Sequence, residues 1–149
     1  MIVSALFAFL HFAAVFGIFA TVAVELLTLS PTPSVQEARR IQWCDRWYGI
    51  CAAVVLVVGL LRVWYFEKGP AFYKANPFFH TKLTLFVLVG LLSIYPTVQF
   101  IRWRPALREG RAPVLPQAIH RRIVLLLRLE LLLLLGMAAC ASLMARGIG

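Results

Sequence analysis

Charge is scarce in this sequence. Asp, Glu, Lys and Arg make up 14% of its 149 residues, against about a quarter in a typical soluble domain. With 62% hydrophobic residues, that scarcity excludes an ordinary soluble domain and marks an integral membrane protein. Acidic residues are scarcer still, six against fifteen basic ones, for a formal net charge of +9. In such a chain the basic excess belongs at the membrane surface, where it reports orientation. No nucleic-acid partner is expected, because the Arg clusters sit between hydrophobic stretches. Cysteine is also rare. Cys44, Cys51 and Cys140 are too few and too scattered for a disulfide framework, a CxxC pair or a cysteine-ligated metal, and they read as small apolar filler. The sequence has no internal repeat and no low-complexity linker, so residues 1–149 read as a single domain.

What is present is length in apolar runs. A bilayer core needs about 20 apolar residues per helix, and four stretches supply them. The first covers about 2–29 and is ended by "SPTPS", whose two prolines cannot continue a helix. It lacks the basic n-region of a secretion signal and reads as a retained helix. The second covers about 46–66, ended by "EKGP". The third covers about 77–101, with Asn76 as its N-cap and Pro77 as its first residue. The fourth covers about 119–145 and contains "LLLLL". The expected fold is therefore all-α: a four-helix transmembrane bundle with both termini on the same side.

Charge orients it. The connections between spans one and two and between spans three and four carry Arg39, Arg40, Arg46, Arg102, Arg104, Arg108, Arg111, Arg121 and Arg122. The other side has Lys68, Lys74 and Arg146, with Arg62 and Lys82 close to the surface. Because excess Lys and Arg stay cytoplasmic, the expectation is a bacterial inner-membrane protein with periplasmic termini.

Ionisable residues inside the spans need a partner or a wet cavity, so each raises a functional question. At about 100° per residue, His11 and Glu25 lie within roughly 40° of each other, with Ser4 about 20° from His11. That polar stripe should face the bundle interior. Arg128 and Glu130 lie about 200° apart and cannot share a face. Glu25 and Arg128 fall in the cytoplasmic half and are expected to form a buried ion pair. Pro96 should kink span three, with Ser93 or Thr97 satisfying the freed backbone groups.

His11, Arg62, His80 and Lys82 all fall in the outer half, where the spans carry no carboxylate. Two histidines on different helices of a bundle can hold a haem iron from both sides. Arg62 and Lys82 would then have anionic partners in the haem propionates. Gly17, Gly59 and Gly90 could open space for a flat macrocycle, or simply allow close helix packing. His80 and Lys82 lie about 200° apart, so only one of them can face a given iron. Lys82 lies within roughly 80° of Gly90, Ser93 and Thr97, which favours Lys82 inward and His80 outward. The preceding "FYKANPFF" could redirect His80, and the second ligand stays open.

From "FYKANPFFHTKLTLFVLVGLLSIYPTVQFIRWR", with "LHF" in span one and "CDRWYGICAAVVLVVGLLRV" in span two, the chain resembles a bacterial family of small four-span membrane proteins without assigned function. It is also distantly similar to the HemJ family of membrane protoporphyrinogen IX oxidases. Those proteins carry a histidine in span one and His-x-Lys-Leu at the start of a later span, matched here by His11, His80, Lys82 and Leu83. The resemblance implies haem b with His11 as axial ligand and His80 or Lys82 on or next to the other face. It also implies oligomers.

The leading expectation is thus a membrane b-type haem protein, with His11 and His80 as iron ligands and Arg62 and Lys82 beside them. It would be an electron-transfer protein or a HemJ-like porphyrinogen oxidase passing electrons to quinone or another membrane carrier. The alternative is a non-enzymatic scaffold or accessory subunit whose buried charges specify helix pairing. A third reading, a proton pathway through Glu25, Arg128 and Glu130, would need a wet path.

Overall fold

The structure is a computed structural model that describes residues 2–66, 74 and 76–147. Lys68, the "EKGP" break and most of the segment before Asn76 lie outside the described residues. Among the described residues the regular structure is all helical, with no strand. Four helices are long and apolar enough to cross a membrane: α1 (Ile2–Thr28), α2 (Val35–Leu61), α3 (Pro77–Arg102) and α5 (Gln117–Ala145). A short α4 (Arg104–Arg108) follows α3, and a π-helical turn at Arg62–Phe66 extends α2. At about 1.5 Å per residue each long helix exceeds the ~30 Å hydrocarbon core, so the chain is a four-span membrane bundle.

The ends of the helices follow local chemistry. Asn76 Oδ1 accepts from the amides of Phe78 (2.9 Å) and Phe79 (3.3 Å), and Pro77 occupies the first turn as expected. The start of α2 differs from expectation. It begins at Val35 rather than near Arg46, because Ser34 and Glu37 form a capping box. Ser34 Oγ accepts from the Glu37 amide (3.2 Å), and Glu37 Oε2 accepts from the Ser34 amide (2.7 Å). Counting apolar residues locates the part of a helix that lies in lipid, whereas the cap decides where the helix starts. Arg39, Arg40 and Arg46 are therefore helical, not loop, residues.

The helices pack as two tight hairpins, α1 with α2 and α3 with α5. The hairpins meet more lightly, through α1–α5 and α2–α3, and the diagonal pairs make no close backbone approach among the described residues. The core lies toward the arginine-rich end, around Ile18, Val22, Ile41, Phe100, Ile123 and Leu127. On α1 the first buried residue is Ala14, and on α3 it is Val89. Beyond them Leu6, Phe9, Leu83 and Val87 are exposed, as suits side chains that face lipid acyl chains.

Candidate functional site

Two polar clusters sit inside this apolar bundle. The first is at the loosely packed end. His11 is half-buried on α1 and points at α2, where a Cβ on Gly59 would lie 3.2 Å from its Cε1. Gly59 is therefore what makes room for the imidazole. The ring's Nδ1 is buried with no well-formed hydrogen bond, and the Val55 carbonyl of α2 is the polar backbone group that the ring faces. Arg62 and Lys82 act on His11 electrostatically. Arg62 stacks over Phe12 at 5.6 Å, and Lys82 lies 6.0 Å from the Phe79 ring. Both cations are half-buried. Arg62 also begins the π-helical turn, a distortion that often accompanies function.

His80 behaves differently. It is exposed, and its Nε2 lies 2.9 Å from the Lys74 carbonyl oxygen. Lys82 thus turns inward and His80 outward, the order that their angular separation favours. Gly90 is exposed with open space beside it, while Gly17 and Gly59 both lie in the α1–α2 contact.

The second cluster lies on the core side. Glu25 of α1, Asp45 and Tyr48 of α2, Ser93, Pro96 and Thr97 of α3, and Leu127 and Glu130 of α5 line one narrow crevice. It is too tight for a water molecule. Thr97 donates its hydroxyl to Asp45 Oδ1 at 2.6 Å. The Tyr48 hydroxyl is within reach of both Glu130 and Ser93. Glu25 is 3% exposed and Glu130 1%, yet Oε1 of each has no hydrogen-bond partner. The charges that act on Glu25 are the carboxylates of Asp45 and Glu130.

This arrangement corrects the expected Glu25–Arg128 ion pair. Arg128 is exposed, and the ion pair found among the described residues is Arg111–Glu109 on the surface. The reason is helical periodicity. Ile123, Leu127, Glu130 and Leu134 form the buried stripe of α5, so Arg128, two residues from Glu130, must point away. Thr97 likewise gives its hydroxyl to Asp45, and Ser93 gives its own to the Gly90 carbonyl at 2.8 Å. Neither satisfies the carbonyl that Pro96 frees at Leu92. Sequence reasoning missed Asp45 and Tyr48 altogether. Asp45 precedes a span starting at Arg46, and Tyr48 falls inside it, but its buried stripe shows only once Ala38, Ile41 and Cys44 are counted in the same helix.

A family described as "Predicted membrane protein (DUF2214)" matches residues 3–149. The chain belongs to the DUF2214 family. No curated protein and no solved structure matches it. As a DUF2214 member it is a membrane protein in contact with the lipid bilayer, and both polar clusters fall within the matched residues.

Proposed function

We propose that this chain is an integral membrane redox protein that binds haem b at the loosely packed end of the bundle. In this reading His11 would hold the iron, and Arg62 and Lys82 would partner the propionates. The observation that carries the reading is the His11 imidazole. Its Nδ1 is buried with no well-formed hydrogen bond, the ring is seated against a glycine beside the Val55 carbonyl, and two cations act on it. A neutral imidazole in that state suits a metal ligand, and guanidinium and ammonium groups suit carboxylates at a lipid boundary. Bound iron would supply one-electron chemistry, at a potential set by ligation and burial. His80 is the weaker candidate for the other face, since it is exposed and already holds the Lys74 carbonyl. The HemJ-like motif makes a porphyrinogen a candidate electron donor and quinone a candidate acceptor. A homo-oligomer, with termini on the periplasmic side, accords with the same resemblance and with the arginine bias.

The test is a reduced-minus-oxidised absorption spectrum of the detergent-purified protein. A Soret band with sharp reduced α and β bands is expected, abolished by His11→Ala and retained by His80→Ala. A protein that is colourless from haem-replete cells, and stays so after hemin addition, overturns the proposal and leaves the scaffold reading.

A second reading is favoured by the unpartnered oxygens of Glu25 and Glu130. Carboxyl groups in a dry crevice without a facing cation are suited to holding a proton, whereas passing it on would need water that the crevice does not admit. This site could store a proton with or without haem at the other end.

A further inference from the structure

The arginine-rich end holds a third feature, independent of both clusters above. A cavity of about 530 Å³ opens between α2 and α4, lined by Arg39, Gln42, Arg46, Arg104, Leu107 and Arg108. Four arginines line one space, and no acidic residue lines it. The sequence builds this by periodicity. Arg39, Gln42 and Arg46 recur at spacings of three and four along α2, and Arg104 and Arg108 are four apart on α4, so each set shares a helix face. It depends on the capping box that carries α2 back to Val35, which makes Arg39 and Gln42 part of the helix.

Bringing four like charges together costs free energy unless an anion shares the space. Acidic groups at this end are committed elsewhere: Glu109 pairs with Arg111, and Glu37 caps α2. Arg104 acts on Asp45, which lies in the neighbouring crevice and not in this cavity. The cavity wall is also held in place. Arg39 Nη2 donates to the Leu107 carbonyl at 3.2 Å, and Gln42 Nε2 donates to the Phe100 carbonyl at 2.5 Å. Both bonds tie α2 to the chain around α4, and Arg46, Arg104 and Arg108 complete the basic lining.

We propose that this cavity binds a phosphate-bearing anion, with several arginines forming paired N–H···O bonds to phosphate oxygens. Its volume far exceeds the roughly 30 Å³ share of one water, so it can accept a substituted phosphate as well as a free one. It lies at the end of the spans, at the level of the lipid headgroups, where basic pockets between helices take anionic phospholipids. The headgroup of such a lipid and dissolved phosphate offer the same chemistry, and the experiment separates them.

The purified full chain is placed in nanodiscs of phosphatidylglycerol or of phosphatidylcholine, and retained lipid is counted by native mass spectrometry. A parallel detergent sample is titrated with inorganic phosphate and followed by thermal unfolding. The expected result is retained phosphatidylglycerol but not phosphatidylcholine, weakened roughly tenfold or more by Arg46→Gln with Arg104→Gln. Arg102→Gln, a nearby exposed arginine outside the cavity, should leave retention unchanged. Stabilisation by inorganic phosphate that the same double variant abolishes would assign the site to a free phosphate instead. If the double variant misfolds, Arg108→Lys replaces it, because it keeps the charge and removes the paired geometry. Equal lipid retention in wild type and variants, or equal loss with Arg102→Gln, overturns the proposal in favour of diffuse surface attraction.

Discussion

Replacing Glu25 with methionine is expected to stabilise the protein. A buried polar group without a partner costs about 1–3 kcal/mol, and the Glu25 Oε1 atom is such a group. Methionine has similar length, no polar atoms and a flexible shape that fills irregular gaps. It also removes one of three carboxyl groups from a crevice that holds no water. The unfolding midpoint in detergent should therefore rise by an amount equivalent to about 1–3 kcal/mol. Glu25→Gln should leave it nearly unchanged, because the amide keeps the unmet polar demand. The two outcomes bear on function. A gain in stability means the chain keeps Glu25 at a cost to its fold, as expected of a group retained for its chemistry. In that case Glu25→Gln should also remove a carboxylic-acid carbonyl band from the infrared spectrum. A loss of 1 kcal/mol or more on Glu25→Met would show that the carboxyl group joins helices, and the proton-handling reading would fall.

The spans were legible because lipid imposes a simple rule: about 20 apolar residues, interrupted by proline or by charge. Their ends were legible where a cap is built from adjacent residues, as at Asn76-Pro77. The Ser34–Glu37 capping box was equally local, but it lies outside the apolar run and a search for spans passes over it. That one omission hid the most. Once α2 starts at Val35, its buried stripe of Ala38, Ile41, Cys44, Tyr48, Val55 and Val58 shows a helical period, with Asp45 beside it. The arginines at positions 39 and 46 then fall on a shared face instead of in a connection. The error at Arg128 has a similar origin. Its separation from Glu130 was correctly read, but which of the two faces inward depends on the leucines around them. Ile123, Leu127 and Leu134 place Glu130, not Arg128, on the buried side. What no single-chain pattern could supply is the meeting of Glu25, Asp45 and Glu130. It depends on how far the hairpins slide past each other, and packing alone sets that.

Changing Gly17 to alanine should reverse the sign of its effect depending on one sulfur atom. An alanine Cβ at position 17 would lie 2.6 Å from Cys51 Sγ but 3.6 Å from Cys51 Cβ. The first distance is a clash and the second an ordinary contact. In the wild-type background the α1–α2 hairpin must open or Cys51 must leave its rotamer, at a cost of about 1–3 kcal/mol. This outweighs the ~1 kcal/mol that alanine gains over glycine within a helix. In a Cys51→Ala background the sulfur is gone, and the same substitution should stabilise by up to about 1 kcal/mol. A double-mutant cycle on unfolding free energies measures the difference, expected at roughly 1–3 kcal/mol of coupling. Independent, additive effects would mean that Cys51 turns aside freely and that the hairpin is not held at this point. Gly59 is the useful contrast, since its added Cβ would meet His11 Cε1 at 3.2 Å, a contact that a shift of a few tenths of an ångström relieves. The two glycines therefore do different things along one interface. Gly17 sets how closely α1 and α2 approach, and Gly59 uses that approach to seat the imidazole.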